Sequence, residues 1–182
     1  MVHSSHAPHI SGRYATRMPT GGLRFDDVEL DGSGLRIAVV VSRFNADVTR
    51  RLYDGCNEEL GAKGVADITI AQVPGCFELP LMAKHLAANG RFDAVICLGA
   101  VIRGDTPHFE YVSSATATGI QRAALDTGIP VVFGVLTVDN EQQAYDRVGG
   151  PAGHKGREAA LTAIEMAHTM RELGHAYGVR EK

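Results

Sequence analysis

The chain has 182 residues, 45% of them hydrophobic, and a formal net charge of −3. That length favours one domain, or one domain with a tail, and the apolar fraction supports a sizeable core. That charge gives no support for a nucleic-acid binder, which usually shows a basic face, and the longest apolar stretch, Ala94 to Ile102, is far too short to cross a bilayer. The N-terminus shows no apolar signal-peptide core, so the expected location is the cytoplasm. Cys56, Cys76 and Cys97 are odd in number and scattered, with no CxxC pair. That argues against a zinc site or a disulfide framework and for three small buried apolar side chains.

Residues 1–22 are rich in His, Ser, Pro, Thr and Gly without periodicity, and read as a disordered tail. The domain is expected over 23–182, with Leu23–Leu30 as a short edge strand. Arg36–Ser42 (RIAVVVS) reads as a buried strand. A helix capped by Asp47 follows, with Val48, Leu52, Cys56 and Leu60 four apart on one stripe. Gly61 and Gly64 end it. Asp67–Val73 (DITIAQV) is a second strand, and Pro74-Gly75 turns the chain into a helix from Phe77, ended by Asn89-Gly90. Phe92–Ala100 is the third strand. It has no polar interruption over Ala94–Leu98, as in a parallel strand buried on both faces, and Gly99 is expected to break it. A third helix is expected from about His108 to Asp126, capped by Asp105 or Thr106 with Pro107 in its first turn. Pro130–Val138 is a fourth strand, interrupted by Gly134. Asp139 or Asn140 caps a short helix over Glu141–Arg147, Gly149-Gly150-Pro151 breaks it, and a last helix runs from about Lys155 to Leu173.

Four strands alternating with helices, at roughly 30 residues per repeat, make an α/β domain. The expected architecture is a three-layer αβα sandwich around a four-stranded, mainly parallel, flavodoxin-like sheet. In such a sheet ligands bind where the strands end, so the loops after each strand carry the candidate chemistry. Phe44 after the first strand is either a core ring covering the sheet end or a platform for a flat heterocycle. Glu78 is either a first-turn cap or an acceptor for ring N–H groups. Gly104-Asp105-Thr106 is either an ordinary capped turn or a phosphate cradle. Arg147 is either a surface arginine or a bidentate phosphate clamp. His108 sits beside free helix N–H groups, with an imidazole suited to proton transfer near neutral pH. No GxGxxG, GxxxxGK[ST] or HExxH is present, which disfavours dinucleotide, ATP-dependent and zinc-protease chemistry.

Taken together, Arg43-Phe44-Asn45, Pro74-Gly75-x-Phe77-Glu78-Leu79-Pro80, Gly99–Val112 (GAVIRGDTPHFEYV), Phe133-Gly134-Val135-Leu136-Thr137 and Gly153-x-Lys155-Gly156 resemble the 6,7-dimethyl-8-ribityllumazine synthase family, also called the riboflavin synthase beta-chain family. The resemblance covers about residues 35–173. It implies condensation of 5-amino-6-(D-ribitylamino)uracil with 3,4-dihydroxy-2-butanone 4-phosphate, giving the lumazine, phosphate and water, with no cofactor or metal. By motif position it implies that Phe44 stacks on the pyrimidine. Cys76, Phe77 and Glu78, with Ala100, Val101 and Ile102, would hold the uracil and ribityl chain, and Phe133 would close the pocket. Asp105, Thr106 and Arg147 would bind phosphate with Lys155 nearby, and His108 would transfer protons. Cys76 is a departure, since the family usually has a small residue such as alanine there.

The resemblance also implies homopentamers with the site between neighbouring subunits. Some members close twelve pentamers into a 60-subunit shell, and the short Gly149–Gly156 turn (GGPAGHKG) leans toward that form. A riboflavin synthase is a further implied partner. The rivals are a flavin- or nucleotide-binding module without turnover, and a structural cage descended from the enzyme.

Overall fold

A computed structural model describes residues 30–177 of the chain, which leaves the expected tail and all but the last residue of the expected 23–30 edge strand outside the described residues. Leu30–Ala167 form one compact unit. Its centre is a parallel sheet in the order β2-β1-β3-β4, built from β1 (Arg36–Ser42), β2 (Asp67–Val73), β3 (Ala94–Ile102) and β4 (Val131–Val138). The helices are α1 (Ala46–Ala62), α2 (Leu79–Ala88), α3 (His108–Thr127), α4 (Glu141–Tyr145) and α5 (Lys155–Tyr177).

Strand alternation divides the core into two sides. Ile37, Val39 and Val41 of β1 and Ala94, Ile96 and Leu98 of β3 pack with Cys56 and Leu60 of α1 and Ala160 and Ile164 of α5. Ala38 and Val40, with Val95, Cys97 and Val101, pack on the other side with Leu79 and Ala83 of α2 and Ile120 of α3. This is the expected three-layer αβα arrangement. Two helices per side explain why β1 and β3 read as unbroken apolar runs. The first two strands match the expected bounds, and of the inner face expected on the last helix (Ala160, Leu161, Ile164 and Ala167) all but the half-buried Leu161 are buried.

Several expectations are corrected. Gly99 does not break β3: it pairs with Val135 and the strand runs on to Ile102. Its missing side chain makes room for a neighbour, since a Cβ there would lie 2.5 Å from Cys76 Sγ. Gly134 does not interrupt β4 either. It pairs with Leu98, whose Cδ2 would be 2.6 Å from an added Cβ. The cap of α1 is Asn45 rather than Asp47, which falls in the first turn. Asn45 is left-handed (φ 57°), a conformation that asparagine tolerates better than most residues, and its side chain donates to the Ala100 carbonyl at 2.9 Å.

A 3₁₀ turn, Cys76–Glu78, precedes α2, which therefore starts two residues later than expected. Pro107 sits at the cap position of α3, and the expected side-chain cap is reduced to a long contact, the His108 N–H to Thr106 Oγ1 at 3.4 Å. Asn140 caps α4 as expected, accepting from the Gln143 N–H at 2.9 Å, but α4 ends at Tyr145. The Gly-Gly-Pro segment forms a small antiparallel hairpin, β5 (Val148–Gly150) with β6 (Gly153–His154), and places Arg147 at its foot.

The Gly99–Cys76 contact yields a test. Gly99→Ala should destabilise the fold by about 1–3 kcal/mol, the usual cost of overpacking a filled core. Cys76→Ala removes the atom in the way, so the double variant should unfold at higher urea than Gly99→Ala alone. A double variant no more stable than Gly99→Ala would show that the sulfur is not what excludes a side chain at position 99.

Candidate functional site

The strand order reverses between β1 and β3, since β2 lies to one side of β1 and β3 to the other. At such a switch point the loops leaving the two strands diverge and open a crevice at their carboxyl ends. The cleft found there has a volume of about 660 Å³. Its lining comes from the β1–α1 loop (Phe44, Asn45), the 3₁₀ turn (Gly75, Cys76, Phe77, Glu78), the end of β3 (Ala100, Val101, Ile102) and the following loop and helix (Gly104, Thr106, His108, Phe109, Tyr111, Val112). Nine of the thirteen candidate residues are thus brought together by local chain geometry. Asp105 stands exposed on the same loop, outside the cleft lining.

The cleft is apolar and aromatic, with a few polar groups. Phe44, Phe77 and Tyr111 are 69%, 62% and 73% exposed. Phe44 is therefore not a core ring covering the sheet end. Three large rings held open to solvent around one cleft suit a flat ligand. Glu78 does perform the capping role: its Oε2 accepts the Gly75 N–H at 2.8 Å. A carboxylate has a second oxygen, so Oε1 remains for a donor on a ligand. The Cys76 thiol is pushed up chiefly by burial, and it is almost fully enclosed (5% exposed). Its sulfur faces the core above Gly99.

His108 is exposed in the first turn of α3. The loop before it is anchored by Arg103. That guanidinium pairs with Glu110, bonds Asp139 Oδ1 through Nε at 2.9 Å, and lies over the Phe109 ring at 4.1 Å from its centroid. The hydrogen bond from Arg103 holds the Glu110 carboxyl below the usual carboxylate range.

The remaining three candidates lie elsewhere on the chain. Phe133, Arg147 and Lys155 line a second concavity of about 610 Å³, between the edge strand β4 and α5. Phe133 is 43% exposed there. Arg147 is steadied by Nη1 donating to the Gln143 carbonyl at 2.9 Å, and Lys155 Nζ pairs with Glu158 Oε2 at 2.6 Å. The Lys155 N–H also donates to the Arg147 carbonyl at 2.9 Å, so the small hairpin brings the two cations to one place. Among the described residues, no three His, Cys, Asp or Glu side chains gather as a metal cage.

The sequence over residues 34–171 matches the family described as 6,7-dimethyl-8-ribityllumazine synthase. A protein of Syntrophus aciditrophicus (strain SB) named 6,7-dimethyl-8-ribityllumazine synthase is 54% identical over 147 residues, covering 79% of this chain and 95% of that protein. The chain belongs to the 6,7-dimethyl-8-ribityllumazine synthase family. It is an enzyme, a transferase of riboflavin biosynthesis, and its reaction is the condensation that the resemblance implied.

Tyr111, Asn45 and Arg103 were not among the candidates read from the sequence. Tyr111 stands three residues after His108 on the same helix, so helical spacing alone would have placed it beside the imidazole. Asn45 and Arg103 carried no such signal, because their partners are remote in sequence.

The cysteines provide a check on the packing around the cleft. Burial pushes the Cys56 thiol up to about 12 and raises Cys76 and Cys97 as well. A thiol that stays protonated is a poor nucleophile. The native enzyme at pH 8 should therefore react with a thiol-disulfide reagent far more slowly than a free thiol, and the unfolded chain should release the full three equivalents. Rapid reaction of Cys76 in the native enzyme would mean that the wall between the cleft and Gly99 is open.

Proposed function

We propose that the β1/β3 cleft holds the pyrimidine, that the Arg147–Lys155 groove holds the phosphate of the second substrate, and that a working site joins the cleft of one chain to the groove of a neighbour. The observation that carries this reading is the division of the candidate residues. The aromatic slot and His108 share one concavity, while the two cations and Phe133 share another. A single reaction that needs both halves is served if two copies of the chain bring them together. Phe133 on the open edge of β4, partly exposed, suits contact with a second copy.

In this reading Phe44 stacks on the uracil ring, and Glu78 and the backbone from Cys76 to Phe77 take its N–H and carbonyl groups. Ala100, Val101 and Ile102 form the floor beside the ribityl chain. Thr106 and Asp105, with the free N–H groups of the first turn of α3, help Arg147 and Lys155 of the neighbour hold the phosphate. The pyrimidine amine attacks the ketone carbon, and loss of water leaves an imine. Phosphate then leaves, and ring closure with loss of a second water gives the lumazine. His108 moves protons in these steps, and orientation of two reactants supplies much of the rest. Cys76, unusual for its position, acts through its backbone, because its sulfur is directed at Gly99.

The assembly belongs to the same proposal: a homopentamer, with the short 149–156 turn favouring closure into a 60-subunit shell, in the cytoplasm, with a riboflavin synthase as a partner. Light scattering distinguishes a pentamer from the shell by a twelvefold difference in mass.

His108→Ala should lower kcat by about 100-fold, the lower end of what positioned proton transfer supplies, with the assembly unchanged. An unchanged rate would remove His108 from the chemistry. Arg147→Ala should raise KM for the phosphate substrate by about 10- to 100-fold, as expected for a lost charge-assisted contact, and leave KM for the pyrimidine nearly as it was. A rise confined to the pyrimidine would place Arg147 on the wrong substrate.

A further inference from the structure

His108 has a weakly secured base. Its helix starts at Pro107 with no side-chain cap bond, and the nearest substitute is the long 3.4 Å contact from the His108 N–H to Thr106 Oγ1. Residues 103–108 are all exposed. A helix whose first turn lacks a cap frays, and a frayed turn would move the imidazole by more than proton transfer tolerates. Phe109 packs this turn on the core, and one side chain from outside the helix braces its exposed side. Arg103 is fixed through its backbone, its N–H donating to the Val138 carbonyl at 2.9 Å, which pins it to the end of β4. From there its guanidinium covers the face of Phe109 and pairs with Glu110, the two residues that follow His108. Its Nε holds Asp139, the residue that follows β4.

An exposed ion pair contributes little to stability. A planar guanidinium with three partners in three directions, one of them a ring face, does something else: it fixes orientation. Arg103 lines neither the cleft nor the groove among the described residues. We propose that Arg103 is the positioning residue of the active site, holding the first turn of α3 against the end of β4 so that His108 presents its imidazole to the cleft. This rests on the proton-transfer role proposed for His108.

The test is a double-variant cycle on the assembled enzyme, with turnover followed by lumazine absorbance. Arg103→Met keeps the length of the stem and removes the fork. It should lower kcat about 10-fold and leave KM for both substrates within about twofold, since no substrate contact is lost. Arg103→Lys keeps the charge but cannot hold three partners, and should recover little of the rate. In a His108→Ala background, Arg103→Met should cause less than a twofold further loss, because its effect passes through the imidazole. The unfolding midpoint and assembly size of each variant separate these losses from misfolding.

Full recovery by lysine would overturn the proposal, as would an equal loss in both backgrounds. A raised KM for the phosphate substrate would also overturn it, by making Arg103 a binding group. If His108→Ala itself turned over at the original rate, the role of His108 would fail and this inference with it. An additive Arg103 effect beside a slowed His108→Ala sinks only the present inference.

Discussion

The pairing of β1 with β3 is the constraint on which the site depends. Both strands are buried on both faces, with Ile37↔Ala94 through Val41↔Leu98 in register. Because the strand order reverses between them, the chain leaving β1 and the chain leaving β3 must part, and the space between becomes the cleft. Asn45 bridges that parting. Its left-handed backbone turns the chain into α1 while its side chain holds the Ala100 carbonyl. The bond offsets the modest cost of the conformation and sets the aromatic platform at a fixed height above the floor of the cleft.

Above that floor the structure relies on close approach instead of polar contacts. Gly99 lets Cys76 descend onto β3, and Gly156 lets the first turn of α5 press on α1, where a Cβ would stand 2.0 Å from the Leu52 carbonyl oxygen. The second contact carries consequences for the groove. Lys155 precedes Gly156, and its N–H bonds the Arg147 carbonyl, so the seating of α5 on α1 also sets the spacing of the two cations. Both halves of the proposed site are thus placed by glycines that admit a neighbour, and the charged side chains ride on that placement.

Much of this was legible in the sequence, and the reason is periodicity. The bounds of β1 and β2, the stripe on α1 and the inner face of α5 follow from apolar spacing, which is a local signal. The gathering of Phe44, Glu78, Ala100 and His108 follows from a topological rule about strand ends. The misreadings share one cause. Gly99 and Gly134 were read as breaks because a glycine in a strand is locally weakening, whereas in the fold each one admits a remote side chain. Asn45 offers no local cap signal, because its side chain bonds a carbonyl 55 residues away and not its own helix. The separation of Arg147 and Lys155 from His108 within one chain could not be read from order and spacing, since both halves lie on loops of the same domain.

The joining of two chains at each site is most directly tested by subunit complementation. The impaired His108→Ala and Arg147→Ala proteins are unfolded together in equal amounts, refolded and assayed with the phosphate substrate well below its KM, where each alone is slow. In a mixed ring, a cleft from an Arg147→Ala chain meets a groove from a His108→Ala chain at about a quarter of the sites, because each of two neighbouring places is filled independently by either variant. The expected result is activity in the mixture near a quarter of that of the unaltered enzyme, and none above the sum of the parts when the two are refolded separately and then combined. If co-refolding restores nothing while mixed assemblies form, both halves of the site belong to a single chain and the composite site is contradicted.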